Sequence, residues 1–231
     1  LHLEQTFPEE VTTECYENLT QDLAEKAIYE AIRKGCNIIF TTTPEFVKAS
    51  VQAAIDHPNV KILNCSLNTS HRYIRTYYAR MYEAKFLMGA VAGAMSENGQ
   101  LAYIADYPIF GTIANINAFA LGAKMVNPRA KVYLEWSTLK DVDIRLAMEN
   151  VQKKGVTVVS GKDMVIPEDA SRYFGLYHLT EEGPHNLAMP LWHWGKFYEQ
   201  LIRTIMDGTW KYDDNKDETK AINYWWGLSA E

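Results

Sequence analysis

Short apolar runs of strand length alternate with longer amphipathic stretches along most of the chain, and glycines or prolines punctuate the changes. Leu1 to Phe7 reads as a short alternating strand stopped by Pro8. Thr20 is a suitable N-cap for a helix over Gln21 to Lys34, which Gly35 closes. Asn37 to Phe40 is then a short buried strand, followed by the hydroxyl run Thr41-Thr42-Thr43. A helix over Glu45 to Asp56 and a strand over Val60 to Asn64 complete the first half. Strands and helices joined by short connections point to a parallel sheet covered by helices.

After a polar stretch from Asn68 to Arg75 the pattern restarts. Tyr78 to Ser96 reads as a helix in which Gly89 and Gly93 let another element approach its backbone closely. Strands are expected at Gln100 to Ala105, Lys131 to Trp136, Val156 to Ser160 and Ser171 to Leu176, with Leu187 to Leu191 extended. Helices are expected at Thr112 to Met125, Val142 to Lys154 and Lys196 to Asp207. Lys211 to Thr219 reads as a charged loop, and Tyr224-Trp225-Trp226 as a closing aromatic cluster. Two β/α runs separated by a polar crossover imply two lobes of one doubly wound type. No 20–50-residue repeat or low-complexity segment interrupts them.

Composition narrows the possibilities. The 231 residues carry 23 basic and 29 acidic side chains, a net charge of −6, and 47 % are apolar. That charge balance argues against a nucleic-acid partner, and the apolar share against a disordered chain. The longest apolar candidate, Ala84 to Met95, is broken by Lys85 and falls short of the roughly 18–20 residues of a membrane span. Cys15, Cys36 and Cys65 form no disulfide framework. Phosphate-loop, GxGxxG, HExxH, GxSxG and CxxC motifs are absent, and the six histidines are not clustered. No metal or cofactor is therefore expected, and Asp141-Val142-Asp143 reads as helix capping.

What recurs is aromatic and hydroxyl side chains at strand ends, where open parallel sheets bind ligands. Thr42, Thr43 and Phe46 follow one strand, Tyr107 and Phe110 another, and Trp136 a third. Asp163, Tyr177 and Trp192 stand after the remaining ones. Flat rings with hydroxyls and a carboxylate suit a planar, hydrogen-bonding small molecule. Tyr107, Phe110 and Trp192 are the expected stacking groups, and Thr42 and Asp163 the expected hydrogen-bonding ones.

The stretch Tyr77 to Gly93 (YYARMYEAKFLMGAVAG), the strand QLAYIA at 100–105 and the segment INAFALGAKMVNP at 116–128 carry a resemblance. They resemble the basic membrane protein (BMP/Med) family of substrate-binding lipoproteins for ABC importers. MDGTWK at 206–211 and WWG at 225–227 are similar to the end of its purine-base-binding branch. The resemblance runs from about residue 20 to 228. It implies a type I periplasmic-binding-protein fold, α/β with two Rossmann-like lobes of parallel sheet closing on a purine base or nucleoside. On that pattern lobe 1 is 1–75 plus 187–210 and lobe 2 is 76–186 plus 211–231. The aromatic strand ends then face the cleft.

Departures from the family pattern sharpen the reading. Family members open with a strand and helix that this chain does not show, so the first lobe is expected to lack them. Cys65, Tyr177 and Trp192 replace ribose-binding polar groups, which favours a free base or another flat ligand. The implied role is delivery of the ligand to an ABC permease by an extracytoplasmic protein, periplasmic or lipid-anchored. A ligand-sensing domain of a signalling protein on the same fold is the alternative. A nucleoside-processing enzyme is a third reading, and would need Asp106 and Asp163 as a carboxylate pair.

Overall fold

The computed structural model describes residues 2–66, 71, 73–105, 110–137, 144–161, 175–210 and 222–228, with the backbone alone at Phe110, Ile144 and Arg145. The chain divides into two compact units, Leu1–Ala79 with His193–Trp226, and Arg80–Trp192 with Gly227–Glu231.

The first unit is built on a sheet of four parallel strands in the order β1-β2-β3-β9. These are β1 (Ile38–Thr41), β2 (Lys61–Cys65), β3 (Arg75–Ala79) and β9 (Asn223–Trp226). Strand period places alternate residues of β2 in two cores. Ile62 joins Ile28, Ala53, Ala54 and Ile74 beneath helices α2 (Gln21–Arg33) and α3 (Val47–Asp56). Leu63 joins Tyr77, Phe197 and Leu201 beneath α7 (Trp194–Met206). α2 ends as its sequence requires: Gly35 sits at φ +96° and the Cys36 amide donates to the Ala31 carbonyl at 3.0 Å.

Three sequence expectations are corrected here. Leu1 to Phe7 is no strand: His2–Thr6 forms the short helix α1, with the Phe7 amide donating to the Leu3 carbonyl at 2.8 Å. It packs on α7, where His2 lies 3.4 Å from Glu199 and the Arg203 guanidinium sits over the Phe7 ring. Second, the helix expected from Tyr78 starts only at Met81, because Arg75–Ala79 pairs with both β2 and β9. Third, the closing aromatic cluster, expected with the second lobe, is strand β9 of the first unit's sheet. Tyr224 and Trp226 turn into the α7-side core.

The second unit has five strands in the order β5-β4-β6-β7-β8. β4 (Gln100–Ala105), β5 (Lys131–Trp136) and β6 (Val158–Ser160) are parallel. β7 (Leu176–Thr180) and β8 (Gly183–Ala188) add an antiparallel hairpin, so this sheet is mixed, and this unit runs on to Trp192, taking in Leu187 and Ala188 at the end of β8, although the first lobe was expected to resume at 187. The strand expected over Ser171 to Leu176 is described only at its last two residues, and β7 begins at Leu176. One sheet face packs Leu101, Tyr103, Ala105 and Val158 against α4 (Met81–Met95) and α5 (Phe110–Val126). The other packs Ala102, Ile104 and Val159 with Val151 and Met148 of α6 (Ile144–Lys153).

α4 and α5 lie in direct backbone contact, as the small residues Gly89 and Gly93 lead one to expect. A Cβ on Gly89 would stand 2.0 Å from the Phe119 carbonyl oxygen, and one on Gly93 2.6 Å from that of Ala123. On the facing helix, a Cβ on Gly122 would stand 1.9 Å from the Phe86 carbonyl oxygen. The pairing of 89 with 119 and 93 with 123 shows that the two helices run parallel.

Candidate functional site

In a parallel sheet the carboxyl ends of the strands carry the chemistry, and each unit presents such an edge. In the first unit it is a polar cluster. β1 and β2 run in register with Thr41 opposite Asn64. The Asn64 side-chain amide, fully buried, donates to Thr41 Oγ1 at 2.7 Å and to the Thr43 carbonyl at 2.9 Å. Thr41 Oγ1 lies 3.0 Å from Ser50 Oγ, which donates to the Phe46 carbonyl at 2.8 Å. Thr43 caps the single 3-10 turn Pro44–Phe46 by accepting from the Glu45 amide. Asn64 thus ties β2 to the loop that bears Thr42 and Thr43.

Among the described residues, two buried polar atoms of this edge have no hydrogen-bond partner, Asn64 Oδ1 and Ser66 Oγ. Buried polar groups are satisfied as a rule, so unpartnered atoms at the ligand-binding end of a sheet are candidate ligand contacts. Thr42 and Phe46 border the same cavity, about 600 Å³, which runs along the outer edge of β1. Phe40, Thr41, Ala27 and Ile205 also line it. Only its Thr42–Phe46 end coincides with the strand ends.

Beneath the edge, the Tyr77 hydroxyl donates to the Thr41 carbonyl at 3.2 Å and meets the Tyr198 hydroxyl at 3.1 Å. Burial raises both phenols above their ordinary pKa, so both stay neutral at physiological pH. Cys65 ends β2, and burial pushes its thiol up to about 11. The thiolate is the reactive form. At pH 8 Cys65 should therefore react with a maleimide roughly a hundredfold more slowly than the exposed Cys15. Mass spectrometry of partly labelled protein checks this; equal rates would mean the thiol is not buried.

In the second unit, Trp136 ends β5 half-buried against the α4–α5 core. Ser137 holds it there: its amide donates to the Ala105 carbonyl at 2.8 Å, and its hydroxyl to the same oxygen at 3.3 Å. Ser160 ends β6 opposite Tyr103, fully buried, and its Oγ has no partner among the described residues. Over the Tyr103 ring, 5.5 Å from its centre, lies the ammonium of Lys85, which is 1 % exposed. A buried cation and an unpartnered hydroxyl flank Tyr103 at this edge. Neither Lys85, Ser160 nor Asn64 stood out in the sequence, because a lysine inside an apolar helix or a short polar residue in a strand carries no spacing signal.

The expected site residues divide as follows. Thr42, Thr43, Phe46 and Trp136 stand at carboxyl strand ends, the first three together. Tyr177 does not: it is 1 % exposed in the α6-side core, with its hydroxyl 3.3 Å from Met148 Sδ. It is a core residue, since its register with Val159 turns the ring into the sheet–helix layer. Trp192 is exposed on the connection between β8 and α7 and ends no strand. Tyr107 and Asp163 lie outside the described residues, as does the side chain of Phe110, where α5 begins. Asp106 of the notional carboxylate pair lies outside them too. Among the described residues no group of three or more His, Cys, Asp or Glu could hold a metal, and no helix is long and apolar enough to cross a membrane.

Two α/β units with parallel strands define a periplasmic-binding fold. A solved ABC transporter solute-binding protein from Conexibacter woesei shares it, with a TM-score of 0.68 at 12 % identity over 98 % of this chain and 77 % of that one. The family described as "ABC transporter substrate-binding protein PnrA-like" (Bmp) matches residues 2–166, and the chain belongs to that family. A purine-binding protein of Brucella abortus is 27 % identical over 98 % of this chain. A putative ABC transporter glucose-binding protein of Haloferax volcanii is 26 % identical over 87 %. The chain spans 65 % and 54 % of the length of these two relatives.

Proposed function

We propose that this protein is the extracytoplasmic binding component of an ABC importer, and that its ligand is a purine base or nucleoside which it passes to a membrane permease. The observation that carries the reading is the set of buried, unpartnered polar atoms at the carboxyl strand ends: Asn64 Oδ1 and Ser66 Oγ in one unit, Ser160 Oγ in the other. An amide oxygen can only accept, so it calls for an N–H or O–H on the ligand, while the serine hydroxyls can do either. A purine offers ring N–H groups, ring-nitrogen acceptors and a flat face for the Trp136 indole. Similarity to a purine-binding relative over nearly the whole chain supports the same class.

A sugar ligand is the rival, since the glucose-binding relative is almost as similar. Calorimetry and thermal unfolding with adenine, guanine, hypoxanthine, adenosine, inosine and glucose separate the two. At about a 100-fold excess over Kd, the true ligand should stabilise the protein by about 2.7 kcal/mol. Trp136→Ala should weaken a purine at least tenfold through lost stacking area, at about 1.4 kcal/mol per factor of ten. Stabilisation by glucose alone would overturn the purine reading, and no response to any of the six would overturn both.

A further inference from the structure

The sheet of the first unit stops at β1, which pairs with β2 on one side and with no strand on the other. The Asn37 carbonyl accepts from the Lys61 amide at 2.9 Å, so the main-chain groups of Asn37, Ile39 and Thr41 turn toward β2. Those of Ile38 and Phe40, two N–H and two C=O groups, turn the other way, because successive residues of a strand bond to alternate sides. Among the described residues nothing bonds to them there. On that side lies the cavity of about 600 Å³ that Ile38 and Phe40 line. Ala27 and Ala31 of α2 cover it on one face of the sheet, and Ile202 and Ile205 of α7 on the other. The coil 12–16 lines it as well, and among the described residues none of its main-chain groups bonds to a strand.

We propose that this cavity is a strand acceptor, filled by one extended, apolar segment of polypeptide from outside residues 1–231 that hydrogen-bonds to β1. Hydrogen bonding is the first argument. A row of N–H and C=O groups along a sheet edge is what an added strand pairs with, and it continues the ladder already made with β2. An acyl chain of the same length would leave all four groups without partners. Size is the second argument. Four residues of strand, at about 3.3 Å each, 4.8 Å between strands and 10 Å between layers, need roughly 630 Å³. The cavity provides about 600 Å³ beside a strand of four residues. Lining is the third. A strand held between two helix layers is apolar on both faces, and alanine and isoleucine side chains meet this one from both. Length is the fourth. The chain spans 65 % of the purine-binding relative, which therefore carries further sequence able to furnish such a strand. None of this depends on what binds at the carboxyl strand ends, which only the Thr42–Phe46 end of the cavity meets.

Amide hydrogen exchange, read residue by residue by NMR, tests the open edge first. In the 231-residue chain the Ile38 and Phe40 amides should exchange at least tenfold faster than those of Ile39 and Thr41, which donate to β2. A phage-displayed library of random decapeptides is then selected on the chain, with reductant present because Cys15 is exposed. Enriched peptides should carry a run of four or more apolar residues without proline. A synthetic peptide of the enriched sequence should slow exchange at Ile38 and Phe40 at least tenfold. N-methylation of its central residues should weaken binding at least tenfold, since the main-chain bonds are then lost. Ala27→Leu, which fills the cavity from α2, should weaken the parent peptide by as much. If that variant does not fold, the N-methylated peptide makes the same test on the unaltered chain. Slow exchange at Ile38 and Phe40 in the free chain, no enriched peptide, or binding indifferent to N-methylation overturns the proposal. Dodecanoate bound more tightly than any selected peptide would assign the cavity to an acyl chain and overturn it as well.

Discussion

Gly122→Val should destabilise the second unit by about 3 kcal/mol or more, a larger effect than any apolar truncation on the surface of the same helices. The reason is where the added atoms would go. Even one Cβ at Gly122 would lie 1.9 Å from the Phe86 carbonyl oxygen and 3.0 Å from the Ala90 amide nitrogen, both of them main-chain atoms. No rotamer change relieves an overlap with backbone, so the two helices must separate along their contact. That separation also loosens Phe119 and Met88, which both helices press onto β4. For a chain of this length each kcal/mol moves Tm by about 2–4 °C, so a drop of about 6–12 °C is expected in the second unit's transition. Gly155→Ala serves as a comparison. A methyl added at Gly155 would have nothing within 4 Å, but the residue sits at φ +70°, so the cost is conformational and should be near 1 kcal/mol. Equal losses for the two variants would mean that the α4–α5 contact is not close-packed.

That close contact was legible in the sequence, as were β4 and β5, and the reason is the same in each case. Leu101, Tyr103 and Ala105 face α4 and α5 while Ala102 and Ile104 face α6, so both sides of β4 are apolar and the run has sharp ends. β3 lacked such a signature. Arg75–Ala79 is half polar and leads into α4 with only Arg80 between, and its second neighbour is supplied from the far end of the chain: Arg75 donates to the Tyr224 hydroxyl, 149 residues away. No local pattern reports a partner at that distance. α1 failed for the converse reason. Alternation from Leu1 to Phe7 is what a strand needs, but a strand also needs a neighbouring edge, and here α7 offers a helix surface instead.

The site was legible as a location more than as a list of residues. Strand polarity alone leads to Thr42, Thr43, Phe46 and Trp136. It cannot say which face an aromatic near a strand end will take, because a shift of one residue reverses the face. Tyr177 stands opposite Val159 and so points into the α6 layer. Had it stood opposite Ser160, where Leu176 is, it would have shared the face of Tyr103. Asn64, Ser66 and Ser160 were missed because their importance lies in a hydrogen bond not made, and only coordinates reveal that.

Asn64 is where fold and binding can be separated by one substitution. In Asn64→Leu the Thr43 carbonyl and Thr41 Oγ1 both lose the amide that donates to them at 2.9 and 2.7 Å. Each such bond is worth about 1 kcal/mol net, but neither acceptor is left unpaired, because the Phe46 amide still donates to the Thr43 carbonyl at 3.2 Å and Ser50 Oγ still lies 3.0 Å from Thr41 Oγ1. Against this, the substitution removes Asn64 Oδ1, itself buried and unpartnered, and recovers a penalty of the same size. The two lost bonds and the recovered penalty largely cancel in the ligand-free protein, so stability should change by no more than about 1 kcal/mol. With ligand present the cancellation fails, because Oδ1 then has a partner to lose and the loop bearing Thr42 and Thr43 is no longer tied to β2. Affinity should fall at least tenfold, and the stability gap between parent and variant should widen by about 1.4 kcal/mol or more at a fixed saturating concentration. Thr41→Val is the companion measurement. It removes the hydroxyl that accepts from Asn64 but leaves Oδ1 and the Thr43 bond in place, so it should lower stability with little change in affinity. If Asn64→Leu loses stability by the same amount with and without ligand, Asn64 supports the loop and touches nothing bound there.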